Sequence, residues 1–430
     1  MTPPPRDPYP DALRAIALLV VVLGHWVATL PRLADGVLVE TDHLLAVWAA
    51  AGPLTWLVQV VPLFVFVSAA VSADGVARRL EEHAQAHWWA SRALGLARPT
   101  VTYLAVLGVV ALGAWLTGGH LLGVFNQSLT IHLWFLLMLL SVQALLPWCL
   151  RLDARFGLGA VAGFVVAAAA LDLVRADVTS FAGLRHLGRE VTAQPAGIAW
   201  LNMLLVWLIP QQLGIAWKRG RFRGIGAGAG LLVLGIAWLA LALASGYPVA
   251  MVGVTLAGNN MLPPTLALIG VMWLQVAAVL LCEPLARRLL AGRAPARAIA
   301  VLGALGMPLY LWHKLAELPA AWIGERLGLP IDAGLPGEPG FWLGRACWIG
   351  LCIAMVAPVI AAVVRFELQR TRDVPAAHGT GRIVAGGIAL YVALGAALVW
   401  GVWPGAVIGL AAVVPASWLL RRGVHSQVSS

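Results

Sequence analysis

A chain of 430 residues that is 61% hydrophobic and only 11% charged lies far outside the usage of soluble globular proteins, which excludes a water-soluble multidomain enzyme. Many apolar runs reach the roughly 20 residues that a helix needs to cross hydrocarbon, and the loops between them are too short to fold separately, so the expected fold is all-α, a polytopic membrane helical bundle. The net charge of +10 raises either nucleic acid or an anionic lipid surface as a partner, and the positions of the basic residues decide between them.

The N-terminal MTPPPRDPYP carries too many prolines for a helix, which makes Asp11 the expected N-cap of the first span. That span runs to about Leu30 and contains DALRAIALLVVVLGHW, with Arg14 and His25 eleven positions apart. At about 100° and about 1.5 Å per residue, the two fall within roughly 20° of one helix face and about 16 Å apart in height. A charged or titratable side chain in hydrocarbon costs on the order of 2.5 to 3.5 kcal/mol, so this face is expected to line a bundle interior or a wet cavity. Asp11 beside the apolar core argues against a cleavable signal peptide.

A loop with Arg32, Asp35, Glu40 and Asp42 leads to a second span, expected from about Leu44 to Val71 with kinks at Pro53 and Pro62. Ala73 to Arg98 is charged and Trp-bearing and reads as an amphipathic helix at the interface, with the third span starting at Pro99. His83 and His87 are four apart, as helical metal ligands could be, but no third ligand accompanies them and no metal is expected. Cys149, Cys282, Cys347 and Cys352 show no zinc spacing and read as packing residues.

Further spans are expected at about 99–117, 132–150, 157–174, 196–217, 225–245, 263–282, 299–321, 341–364, 383–402 and 404–420, about twelve in all. Alternating the loops from a cytoplasmic N-terminus puts 22 of the 29 basic residues on one side, in the clusters around Arg78, Arg151, Lys218, Arg287, Arg365 and Arg421 together with Arg6 and Arg14. The charge is thus read as topology plus contact with anionic lipids, with both termini cytoplasmic and no nucleic acid.

Four segments, in order, resemble the acyltransferase family 3 of integral membrane enzymes: the Arg14–His25 helix, WLVQVVPLFVFVSA (Trp56 to Ala69), HLWFLLMLLSVQALLP (His132 to Pro147) and MPLYLWHKL (Met307 to Leu315). The resemblance covers roughly residues 9–365 and implies a membrane acyltransferase domain (11–365) with a ten-helix core; the span and charge pattern adds a cytoplasmic tail (1–10) before it and, outside the resemblance, a cytoplasmic linker (366–382), an additional hairpin (383–420) and a second tail (421–430). The resemblance also implies transfer of an acyl group, acetyl or another short one, from cytoplasmic acyl-CoA to a hydroxyl of an envelope glycan or glycolipid, in a bacterial cytoplasmic membrane.

Acyl transfer to a hydroxyl needs a base for the hydroxyl proton, and His25, with an ordinary pKa of about 6.5, suits that role near neutral pH. Arg14 sits near the cytoplasmic end of the helix, where its guanidinium fork suits the donor's phosphates; Asp11 is its competing salt-bridge partner. The resemblance adds Arg92 and Arg98, from R-A-L-G-L-A-R-P, as acyl-CoA contacts, although Gly95 and Leu96 stand where the family usually has more basic residues. Ser68, His132, Trp134, Tyr310, Trp312 and His313 are polar groups in apolar helices that must find partners or water, and the resemblance implies that they line the substrate cavity; Lys314 needs a wet cavity or an acid such as Glu317. No serine-hydrolase, zinc-protease or nucleotide-binding fingerprint is present. The alternative is a twelve-helix transporter or flippase, which should show repeated halves, and none is evident.

Reporters fused after Arg223 and after Arg422 should be cytoplasmic and one fused near Gly183 external. Opposite sidedness at either cytoplasmic site breaks the twelve-span count.

Overall fold

The computed structural model describes residues 7–175, 200–253, 260–332, 334–369 and 380–420. The outward loop expected after Arg175, the linker around Arg370 and the tail with Arg421 and Arg422 lie outside the described residues. Those described are almost entirely helical, with one two-stranded hairpin. Among the described residues nine helices are long and apolar enough to cross a membrane, or ten if two consecutive helices bent by 116° form one span. Of the expected twelve spans, those at 383–402 and 404–420 are two helices within one 41-residue apolar stretch, and the one at 196–217 starts outside the described residues and continues as a helix over residues 202–218.

The chain forms two compact units, and the first comprises Met1–Gly24, His43–Ala77 and Leu145–Gly306. Helix α1 spans Pro8–Ala28 and so begins before Asp11. Proline in a first turn needs no N–H partner, and the Asp7 carboxylate accepts from the Tyr9 amide at 3.1 Å, so Asp7 does the capping expected of Asp11. The second expected span is broken into α2 (Leu44–Val47), a 3-10 turn holding Pro53 (Ala49–Leu54), α3 (Thr55–Val58) and α4 (Val61–Glu81). Pro62 sits in the first turn of α4, and the chain breaks directly before it, at Gln59 and Val60, as well as around Pro53.

The rest of this unit contains α9 (Leu146–Phe156), α10 (Gly159–Arg175), α11 (Asn202–Lys218), α12 (Gly224–Ala244) and α13 (Leu266–Leu289), the label α14 being given to Arg293–Trp312. Helix α11 is buried from Val206 through Ala216, and its Gly214 lies so close to α4 that an added Cβ would collide with the Phe66 carbonyl. Its Gln211 and Gln212 reach the Cys149 sulfur and carbonyl on α9, at 3.4 and 3.2 Å, and thus hold two helices together. Asp153, fully buried, takes Arg219 and Arg221 at 2.9 Å each. The hydrogen bond to Asp153 raises the Arg221 pKa above its ordinary value against a smaller effect of desolvation.

The second unit comprises His25–Asp42, Arg78–Ala144 and Met307–Ser430. Where a loop was expected, β1 (Thr29–Ala34) and β2 (Val37–His43) pair through Asp35 and Gly36, whose φ values of 52° and 79° suit a primed hairpin turn. The strands are held by carboxylates: Leu33 donates to Asp332 at 2.8 Å, Leu38 to Glu325 at 2.6 Å, and Arg32 bridges to Asp42 at 2.7 Å. Helix α5 (Gln85–Thr117) is continuous, so the separate interfacial helix before Pro99 does not exist. The break falls earlier, at His83. Its φ of 53°, with the Ala84 amide on the Arg79 carbonyl and the His83 amide on Leu80, makes a Schellman cap for α4.

Short helices α6 (Leu121–Phe125) and α7 (Ser128–Ile131) lead to α8 (Trp134–Ala144), and α15 (Glu317–Arg326) precedes α16 (Phe341–Gln369). The expected span 299–321 is therefore interrupted: α14 stops at Trp312 and α15 starts at Glu317. The hairpin of α17 (Thr380–Trp400) and α18 (Val407–Leu420) packs on α5, and α17 also on α8. Its connection is capped by Asn126, whose side-chain oxygen accepts from Val402 and Trp403 at 3.0 and 3.1 Å. Cys149 and Cys352 are buried, as packing residues should be, while Cys282 is exposed.

Gly214→Ala should lower the thermal midpoint of the purified protein, at a cost of about 1 to 3 kcal/mol, because a backbone carbonyl cannot yield to the new methyl. Gly228→Ala, which meets only the Leu281 and Leu280 side chains, should cost less. Equal midpoints for the two variants would mean that α4 and α11 do not pack this closely.

Candidate active site

Three histidines of the second unit converge where helices end or break. His25 lies in the last turn of α1, His132 in the turn between α7 and α8, and His313 directly after α14. At this last break the chain turns tightly, the Leu315 amide bonding Trp312 and the Glu317 amide bonding Lys314, so consecutive side chains leave in different directions.

His25 Nδ1 lies 2.7 Å from His313 Nε2, with the rings nearly parallel at 12° and centroids 5.0 Å apart. His313 Nδ1 in turn lies 2.7 Å from the Tyr310 carbonyl oxygen. The Trp26 indole donates to the His313 carbonyl at 3.2 Å, and the His132 ring stands edge-on to His313 at 5.4 Å. The Tyr310 hydroxyl donates to the His132 carbonyl, and Tyr103 packs edge-on against both His132 and Trp312, at 5.6 and 5.3 Å. His313 is 0% and His132 1% exposed, whereas His25 is half-buried, so His25 is the ring of the three that offers access.

Two buried polar atoms of this cluster have no hydrogen-bond partner among the described residues. The Trp312 indole N–H is one and His132 Nδ1 the other. His132 Nε2 donates to the Leu311 carbonyl at 3.2 Å, which makes the neutral ring's Nδ1 an acceptor. A donor and an acceptor left unpaired in a closed site are groups that a bound molecule can use.

A second polar layer supports the first. Lys314 Nζ meets both Glu317 oxygens at 2.6 and 2.7 Å and reaches the Thr29 hydroxyl at 3.3 Å. Thr29 donates to the His25 carbonyl at 3.0 Å, and Arg345, only 4% exposed, donates to the Thr29 carbonyl at 2.5 Å. The acid anticipated for Lys314 is thus Glu317, in a closed ion pair with no wet cavity required.

Of the residues expected from sequence, His25, His132, Tyr310, Trp312 and His313 come together here. Trp134 is half-buried against Phe135. Arg92 and Arg98 lie on α5 in the same unit; Arg92 is exposed over the Trp88 ring at 5.6 Å and Arg98 is half-buried. Arg14, on the part of α1 belonging to the first unit, has a 38% exposed side chain, a long 3.9 Å contact to Asp11 and a cation–π contact to Phe64 at 5.7 Å. Ser68 is half-buried in α4 of that unit. Around Asp11 the first unit also holds a cavity of about 410 Å³, bordered by Trp217, Lys218, Arg223, Glu283 and Arg287.

Sequence reading overlooked Trp26, Thr29, Tyr103 and Arg345. An arginine in the apolar run FWLGRACWIG carries the same cost argument that singled out Arg14, so Arg345 was detectable. Thr29 and Tyr103 carry no such signal.

The helices and the buried polar site describe a multi-pass membrane protein built around a histidine cluster. A family model described as an acyltransferase domain matches residues 7–364, and the chain belongs to that family, acyltransferase family 3. It is a membrane acyltransferase. No curated protein and no solved structure matches significantly.

Glu317→Leu should destabilise the protein by about 3 to 5 kcal/mol, because it strands a buried ammonium, whereas the double change Lys314→Met with Glu317→Leu should recover most of that loss. Additive losses in a thermal-midpoint cycle would show that the two charges act independently.

Proposed function

We propose that this protein is an O-acyltransferase that moves a short acyl group, acetyl in the simplest case, from cytoplasmic acyl-CoA to a hydroxyl of an envelope glycan or glycolipid. The observation that carries the reading is the partial exposure of His25 at the edge of an otherwise closed histidine and aromatic cluster, on the helix that also bears Arg14. A neutral His25 takes the acceptor's hydroxyl proton as the oxygen attacks the thioester carbonyl. The tetrahedral intermediate collapses, the C–S bond breaks, and the departing CoA thiolate recovers the proton from His25. One thioester and one alcohol thus become one ester and one thiol.

Arg14 is the donor's phosphate contact in this scheme, with Arg92 and Arg98 as further candidates on α5. The cavity beside Asp11 in the first unit is lined by acids (Asp7, Asp11, Glu283) as well as bases (Lys218, Arg223, Arg287), with Lys218 and Arg287 already in ion pairs, and it has no assigned part in this scheme. The unpartnered Trp312 N–H and His132 Nδ1 support a polar acceptor or carbonyl in the second. No metal has a part in the scheme. The basic clusters favour a bacterial cytoplasmic membrane with both termini inside and anionic lipids at the basic face.

In nanodiscs, His25→Ala should stay folded and lose transfer by about 10² to 10⁴-fold, while Arg14→Ala should chiefly raise the KM for acetyl-CoA. The wild-type rate should fall as pH drops through the histidine's pKa, ordinarily about 6.5, because imidazolium has no lone pair with which to accept the proton. Mass spectrometry of envelope glycans and lipids from wild-type and deletion cells should reveal a lost acyl mass. A monodisperse His25→Ala protein working at the wild-type rate would remove the base from His25.

A further inference from the structure

Resting on that reading of His25, we propose that His313 is a positioning residue that sets the tautomer of the base: the relay from the Tyr310 carbonyl through His313 to His25 delivers the His25 lone pair to Nε2. The argument starts from an atom that cannot donate. A backbone carbonyl only accepts, so His313 Nδ1, 2.7 Å from the Tyr310 oxygen, carries the hydrogen. In a neutral imidazole one nitrogen donates and the other accepts, which leaves His313 Nε2 with the lone pair. His25 Nδ1 lies 2.7 Å from that lone pair and must therefore be the donor. Its second nitrogen, Nε2, is then the acceptor.

A doubly protonated His313 would reverse the order, but the rings facing it are His25, Trp26, His132 and Tyr310, none of them an anion, and the residue is 0% exposed. The nearest carboxylate on its own segment, Glu317, is held by Lys314. His313 is also clamped mechanically, by the Trp26 indole on its carbonyl and by its own amide on the Leu309 carbonyl at 3.1 Å. A rigid acceptor at Nδ1 both selects one tautomer and aims the ring, and it remains an acceptor when His25 has taken the substrate's proton. No bond to His313 forms or breaks during the cycle, and its proton stays on Nδ1.

The test compares purified wild type, His313→Ala and His313→Gln in nanodiscs, with acetyl-CoA as donor, and reads the His25 tautomer by nitrogen-15 NMR, assigned by difference against His25→Asn. The wild type should show His25 protonated at Nδ1. His313→Ala should lower kcat by about 10- to 100-fold, as loss of a ring-orienting partner typically does, with the KM for acetyl-CoA unchanged. His313→Gln should recover part of kcat, because its amide oxygen can accept from His25 Nδ1. An alanine variant at the wild-type kcat, a glutamine variant no faster than alanine, or a wild-type His25 protonated at Nε2 overturns the proposal; should the alanine variant fail to fold, the wild-type spectrum decides by itself. If His25→Asn remains fully active, the base assignment fails first, whereas an inactive His25→Asn beside an active His313→Ala removes only the relay.

Discussion

The ion pair between Lys314 and Glu317 is the contact on which the second unit depends. Both side chains are almost wholly excluded from solvent, and a buried ammonium without its carboxylate would cost several kcal/mol. The pair forms across the turn that separates α14, ending at Trp312, from α15. Lys314 also holds the Thr29 hydroxyl, which bonds the His25 carbonyl, while Arg345 takes the Thr29 carbonyl. One residue thereby receives the end of α1, the break after α14 and an arginine of α16. The same break that seats the ion pair turns His313 toward His25.

The first unit is held by different means. Its helices approach closely at glycines, Gly214 against the Phe66 backbone and Gly228 and Gly235 of α12 against leucines of α13, as expected where packing must do what water exclusion does in soluble proteins. Its charges gather in pairs near helix ends. Asp153 serves two arginines, and Arg287 bridges Asp7 and Glu283. These pairs leave the apolar lengths of α12 and α13 uninterrupted, which suits a scaffold, whereas the second unit concentrates its polar groups in one place.

That concentration divides the labour within the site. His313 and His132 are closed in by Trp26, Tyr103, Tyr310 and Trp312, and their hydrogen bonds to backbone carbonyls define which nitrogens carry protons. His25 alone of the three is partly open. A rigid, fully packed inner pair with one accessible ring is an arrangement suited to proton transfer, because the accessible group need not reorganise when charge develops on it.

The membrane class, the helical character and the candidate histidines were legible in the sequence, because hydrocarbon penalises polar groups so heavily that Arg14, His25, His132 and His313 stand out from apolar surroundings. Family membership was legible for a related reason, since four such segments recur in a recognisable order. Periodicity and composition did not reveal where helices stop. The hairpin at Asp35–Gly36 had its turn signal but depends on carboxylates from Glu325 and Asp332, and α5 runs through Pro99 while the break falls earlier, at His83. The meeting of His25 with His313 joins residues 288 positions apart. Nothing local encodes it: only the packing of helix ends in three dimensions brings one lone pair against one N–H, and that packing decided which histidine is open, which is buried, and which residues, Thr29 and Arg345 among them, hold both in place.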